Sequence, residues 1–220
     1  MKTTWFLLKI EWLHIVRQPQ QWLYPLIFFV MLVCLFPIAL AWEPQFLEKY
    51  MPYCLWIAIL LTSVLSIENL FHRDKEEGYL EQLCLLETSL LSYVVIKLIV
   101  HWAMIALPIV LLTPVMGGLF HFSKVVTLFL GASLLLGTII FMLLSGLIAA
   151  LTISLTEKGV FLGLLFLPLV IPVMMAGAIG LDQIQSGQSF GDAILLLSGM
   201  SLIFIVFIPF SIVFSIKLSI

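Results

Sequence analysis

The sequence predicts an all-α integral membrane protein with six transmembrane helices, an N-terminal interfacial elbow helix and a short helix between the second and third spans. Hydrophobic residues make up 63% of its 220 positions and charged residues only 10%. A water-soluble domain normally carries about a quarter charged residues, so there is too little polar surface here to clothe a globule. The mean hydropathy of +1.22 is gathered into six apolar runs. Each is near the ~20 residues that cross about 30 Å of hydrocarbon.

Residues 1–21 supply the elbow. Trp5, Leu8, Trp12, Ile15 and Val16 fall on one helical face, with Lys2, Lys9, Glu11 and Arg17 largely elsewhere. Tryptophan suits headgroup depth, and the cations suit an anionic leaflet. Phe6, Leu7, Ile10 and Leu13 spread round the cylinder, so part of this helix is expected to pack on protein. Pro19 disfavours helical geometry at Gln18 and ends the segment. Lys9, Glu11, His14 and Arg17 interrupt the apolar core that a cleavable signal needs, so the first span is expected to direct insertion itself.

The six spans are expected at 22–41, 51–71, 91–118, 126–150, 159–180 and 193–216, inside one membrane domain covering 22–220. Pro108 with Pro114, and Pro168 with Pro172, predict two bent helices, because membrane bundles tolerate proline at the cost of a kink. The fourth span carries Gly131, Ala132, Ser133, Gly137, Ser145, Gly146, Ala149 and Ala150. Such residues let helix backbones approach closely. Packing within one chain and a seam between two copies both remain open on the sequence alone.

Cations fix the orientation. Lys2, Lys9, Arg17, Arg73, Lys75, Lys97, Lys158 and Lys217 fall on one side of the six-span arrangement, and only Lys49 and Lys124 on the other. The positive-inside rule makes both termini and the 72–90 segment cytoplasmic.

Little in the sequence points to catalysis. His14, His72, His101 and His121 are scattered, without the short helical spacing of a metal site. Gly131-Ala132-Ser133 lacks the following glycine and the later histidine of an intramembrane serine protease. No glycine-rich phosphate loop is visible, so the chain is not expected to hydrolyse nucleotide. The net charge of −2 gives no basic field for nucleic acid. Cys34, Cys54 and Cys84 form no C-x-x-C pair and are expected to be free thiols.

Three ionisable residues fall in or at the ends of spans: Glu68, Lys97 and His101. A charge at a helix centre costs roughly 2.5–3.5 kcal/mol on insertion scales, so such residues usually pair or line a polar path. Glu68 ends span two and Lys97 lies about two turns into span three, which makes a Glu68–Lys97 pair reasonable, a structural clamp being the expectation and a mobile element of coupling the alternative. His101 sits one turn beyond Lys97; a packed, hydrogen-bonded histidine is the expectation, a haem-like ligand contact the alternative.

Between spans two and three lies a charged island, with Arg73, Asp74, Lys75, Glu76, Glu77, Glu81 and Glu87 among leucines. Leu80, Leu83 and Cys84 share one helical face of the 74–86 segment, while Glu81 and Gln82 point elsewhere. Thr88 and Ser89 are candidate caps for span three. Five acids against two bases are repelled by anionic lipid, so a groove on a soluble protein is the expected contact.

The run Glu77-Gly78-Tyr79-Leu80-Glu81-Gln82-Leu83 resembles the cytoplasmic coupling segment of ABC type 2 exporter membrane subunits. More narrowly, the chain resembles the CcmB family of haem exporter B subunits over its full length. The likeness includes Leu35-Phe36-Pro37, Glu43-Pro44-Gln45, Glu68 with Leu70-Phe71, Lys97, His101-Trp102, Leu107-Pro108 and the run Leu167 to Pro172. It departs from the family pattern at Glu87-Thr88-Ser89, where a proline is usual.

The resemblance implies a bacterial inner-membrane permease that works as a homodimer on two copies of an ATPase, CcmA. That ATPase would dock through Glu76, Glu77, Gly78, Leu80, Glu81, Gln82 and Leu83. It further implies association with CcmC and CcmD and delivery of haem to the periplasmic chaperone CcmE. Haem and ATP would then be handled by the complex, with mechanical coupling, not haem ligation, as this chain's part. The alternative is a type 2 exporter subunit for another substrate, such as lipid, polysaccharide or drug.

Overall fold

The computed structural model describes residues 2–40, 43–67, 70–71, 74–75, 77–85, 90–153 and 158–219. The regular elements among them are helices: α1 (Lys2–Arg17), α2 (Pro19–Ala39), α3 (Pro44–Ile67), α4 (Tyr79–Leu85), α5 (Leu90–Leu111), α6 (Thr113–Leu119), α7 (Lys124–Leu151), α8 (Lys158–Gln185) and α9 (Gly191–Ser219). Six segments are long and apolar enough to cross a bilayer: Pro19–Ala39, Pro44–Ser66, Leu90–Leu119, Lys124–Leu151, Leu165–Gln185 and Gly191–Ser219. The chain is a multi-pass α-helical membrane protein.

Local chemistry sets the boundaries. Gln18 leaves the helical region (φ −120°, ψ 72°), and Pro19 opens α2 at the position where its missing N–H costs nothing. Span two begins at Pro44, seven residues before the expected 51, because the same preference for proline in a first helical turn acts there. Span three is interrupted at Leu112, between Pro108 and Pro114, so α6 forms a separate short helix. The other proline pair, Pro168 and Pro172, lies inside α8, which stays helical from end to end. His121 has φ 58° because it closes α6. The Phe122 N–H there reaches back to the Gly117 carbonyl at 2.9 Å, a left-handed helix ending. Ser123 then caps α7, its Oγ accepting from the Val126 N–H.

The fourth span, α7, is the centre of the bundle. In its most apolar stretch 67% of residues are buried, against 22% for α2 and 28% for α9, and α3, α5, α6, α8 and α9 all pack on it. Its small residues face inward: Ser133, Gly137, Ser145, Gly146, Ala149 and Ala150 are buried by this chain alone. The Trp56 ring from α3 fills the notch. A Cβ on Gly137 would lie 2.6 Å from that ring, and one on Gly177 of α8 would lie 2.5 Å from it. Packing within one chain therefore accounts for most of the small-residue stripe. Cys34 is exposed and Cys54 half-buried, both as free thiols.

Each end of the bundle carries polar ties. At one, Tyr53 of α3 donates to Asp182 of α8 at 2.5 Å, and the Gln185 amide donates to the Lys49 carbonyl at 3.2 Å. At the other, Lys75 donates to the carbonyl of Ser219, the last residue of α9.

Candidate functional site

The site lies at the Ser219 end, where the charged island folds back on the start of α5. Gly78 has φ +70°, a conformation glycine adopts without steric cost. Its N–H closes a turn onto the Lys75 carbonyl at 3.0 Å, and α4 starts immediately after. As expected, Leu80 and Leu83 lie on one face of α4. That face is turned inward: both side chains are buried in the core with Phe71, Leu90 and Tyr93. The exposed positions are Glu77 and Gln82. Glu81 lies between the two faces, with Oε2 covered and without a hydrogen-bond partner among the described residues. Glu76 and Glu68 lie outside the described residues.

Behind α4 is a buried ionic knot. Asp74 Oδ2 accepts from both the Lys97 ammonium and the Tyr93 hydroxyl. Lys97 also donates to the Tyr93 oxygen at 2.9 Å. Asp74 and Lys97 are 8% and 7% exposed, and Tyr93 is fully covered. Tyr93 and Lys97 are one turn apart on α5, the spacing that stacks side chains on one helix face. The ammonium also lies 5.3 Å from the Tyr93 ring centre and 5.9 Å from that of Phe71, within range of cation–π attraction.

Two further elements close around the knot. Tyr79, the first residue of α4, meets Tyr93 edge to face, ring centres 5.6 Å apart. Burial raises the Tyr79 hydroxyl pKa above its usual 10, and the negative charges of Glu11 and Asp74 raise it further. Glu11, from α1, is itself buried. Ile15, one turn on, packs against Ile96 and Val100 of α5. Leu8, Trp12 and Val16 stay exposed, so Ile15 leaves the face the sequence shares among these residues and turns onto protein. Helix α1, the segment around Asp74, α4 and α5 therefore meet at one point.

Lys97 is paired as an intramembrane cation should be, and among the described residues its partner is Asp74; the expected pair with Glu68 falls on a residue outside them. His101, one turn further along α5, is half-buried and makes none of the hydrogen bonds of the knot. Asp74 and Tyr93 were not singled out from the sequence. The Tyr93–Lys97 spacing beside an acidic loop was the available signal. Removing one member of a buried ion pair leaves an uncompensated charge at a cost of roughly 3–5 kcal/mol. The arrangement is thus a clamp that fixes the segment just before α4 against α5, with Tyr79 stacked on the same Tyr93.

A six-span bundle with a short helix between its second and third spans defines a class: a polytopic helical membrane protein. The family model described as CcmB protein matches residues 2–219, and the chain belongs to that family. It is 35% identical over 204 residues to Heme exporter protein B of Pseudomonas aeruginosa, covering 93% of this chain and 92% of that protein. The protein of the same name from Haemophilus influenzae is 32% identical, with the same coverage. That from Escherichia coli is 31% identical over 178 residues, 81% of each chain.

Proposed function

We propose that this chain is the membrane subunit of an ABC-type haem exporter serving c-type cytochrome assembly. It couples ATP hydrolysis by a partner ATPase to haem export or to release of the haem-loaded chaperone. The observation that carries the reading is the family match over residues 2–219, with relatives named as haem exporters aligned over most of their own length. In this reading the chain pairs with a second copy on two CcmA ATPases and works with CcmC, CcmD and CcmE. It sits in the bacterial inner membrane with both termini cytoplasmic, as the distribution of lysines and arginines supports. The chain is a permease without catalysis of its own, and haem and ATP are handled by the complex.

The packing of α4 refines how the ATPase docks. Leu80 and Leu83 hold the helix to its own bundle, so the partner meets the opposite edge, with Glu77, Gln82 and the half-exposed parts of Gly78 and Glu81. The experiment is affinity purification of the tagged chain from membranes co-expressing its ATPase. The wild-type chain should carry the ATPase, and the double substitution Glu77→Lys with Gln82→Lys should lower its recovery at least tenfold. Undiminished recovery with that variant would rule out docking at α4. A strain lacking this chain should make no mature c-type cytochrome, and normal amounts would overturn the haem reading.

A further inference from the structure

We infer that Asp74, Tyr93 and Lys97 are positioning residues that make α4 and span three move as one body, so that a push delivered at α4 reaches the membrane interior. This rests on the docking reading above and adds the route by which it acts. A seven-residue helix does not hold its shape alone in water, and α4 follows a glycine whose left-handed conformation offers a ready hinge. Without a second joint, a push on α4 would be absorbed at Gly78. The knot supplies that joint. Asp74 precedes the glycine, yet it is bound to two residues of α5. Tyr79, just after the glycine, is stacked on one of them.

The hinge is therefore bridged on both sides by Tyr93. Pulling α4 away from α5 would break the Tyr79–Tyr93 contact, and pulling the preceding segment with it would leave the Asp74 carboxylate and the Lys97 ammonium apart in apolar surroundings, where unpaired charge is strongly disfavoured. Lys75, next to Asp74, touches the end of α9, so the same short segment also contacts span six.

The test compares the purified complex and cells carrying the wild-type chain, Asp74→Asn, Tyr93→Phe or Lys97→Arg. Three quantities are read: ATPase recovered with the chain, ATP hydrolysed by the complex, and mature c-type cytochrome formed per ATP hydrolysed. Asp74→Asn should leave ATPase recovery within twofold of wild type and lower cytochrome per ATP at least tenfold. Lys97→Arg, which keeps the charge, should retain half or more of that ratio. Tyr93→Phe keeps the ring against Tyr79 and removes only the hydroxyl. It should fall in between, and it serves as the test if Asp74→Asn fails to accumulate.

A ratio unchanged in both Asp74→Asn and Tyr93→Phe overturns the inference. So does a loss of cytochrome only in proportion to the amount of complex, because that is all a purely structural role would produce. A wild-type chain that carries no ATPase overturns the docking reading itself, a result distinct from either.

Discussion

The two ends of the bundle are tied together in opposite ways. At the Asp182 end, α3 and α8 are joined by water-accessible hydrogen bonds, the Tyr53 hydroxyl to Asp182 and the Gln185 amide to the Lys49 carbonyl. At the Ser219 end, the island and α5 are joined by an ion pair that water scarcely reaches. An exposed tie exchanges readily with water and contributes about 0–1 kcal/mol. A buried ionic tie contributes modestly while intact and exacts a heavy penalty when half of it is removed. The first closes a bundle; the second makes one segment follow another.

The largest expected effect comes from halving the buried tie. Lys97→Met should destabilise the solubilised chain by about 3–5 kcal/mol, read as loss of the monodisperse peak after graded heating. Adding Asp74→Asn to it should restore most of the loss, since neither charge is then left alone. Equal damage from the single and double variants would mean that the pair carries no such penalty.

A middle effect should come from the uncharged interior that separates the two ends. Gly177→Ala sets a methyl group 2.5 Å from the Trp56 ring, and overpacking of this kind costs about 1–3 kcal/mol. The thermal midpoint should fall, and the quenching of Trp56 fluorescence should change with it. The smallest effect belongs to the exposed tie. Tyr53→Phe should cost no more than about 1 kcal/mol and leave the midpoint nearly unmoved. A Tyr53→Phe loss as large as that of Lys97→Met would erase the contrast between the ends.

Much of this was legible in the sequence because a membrane writes in long words. Six apolar runs give six spans, Pro19 marks the break after Arg17, and Leu80 with Leu83 share a helical face as their spacing requires. The facing direction of that ridge was not legible. Periodicity says which residues lie together, and it does not say whether bundle or partner covers them. Asp74 as a partner of Lys97 was missed for a related reason. Spans two and three drawn as straight rods point only to the end of span two, but the island folds back and brings Asp74, 23 positions before Lys97 in the chain, onto α5. The early start of span two at Pro44 was hidden because Gln45, Glu48 and Lys49 read as loop, whereas helix geometry accepts them at an exposed end.

The inward face of the fourth span has a consequence for symmetry. Gly137 and Gly146 are already occupied by Trp56, Leu98 and Ile212, while Gly131 near its start meets nothing. The peripheral staves α2 and α9 have largely bare flanks, the broadest surface open to a second copy. A seam there would be free to slide or part while each central pillar keeps its shape.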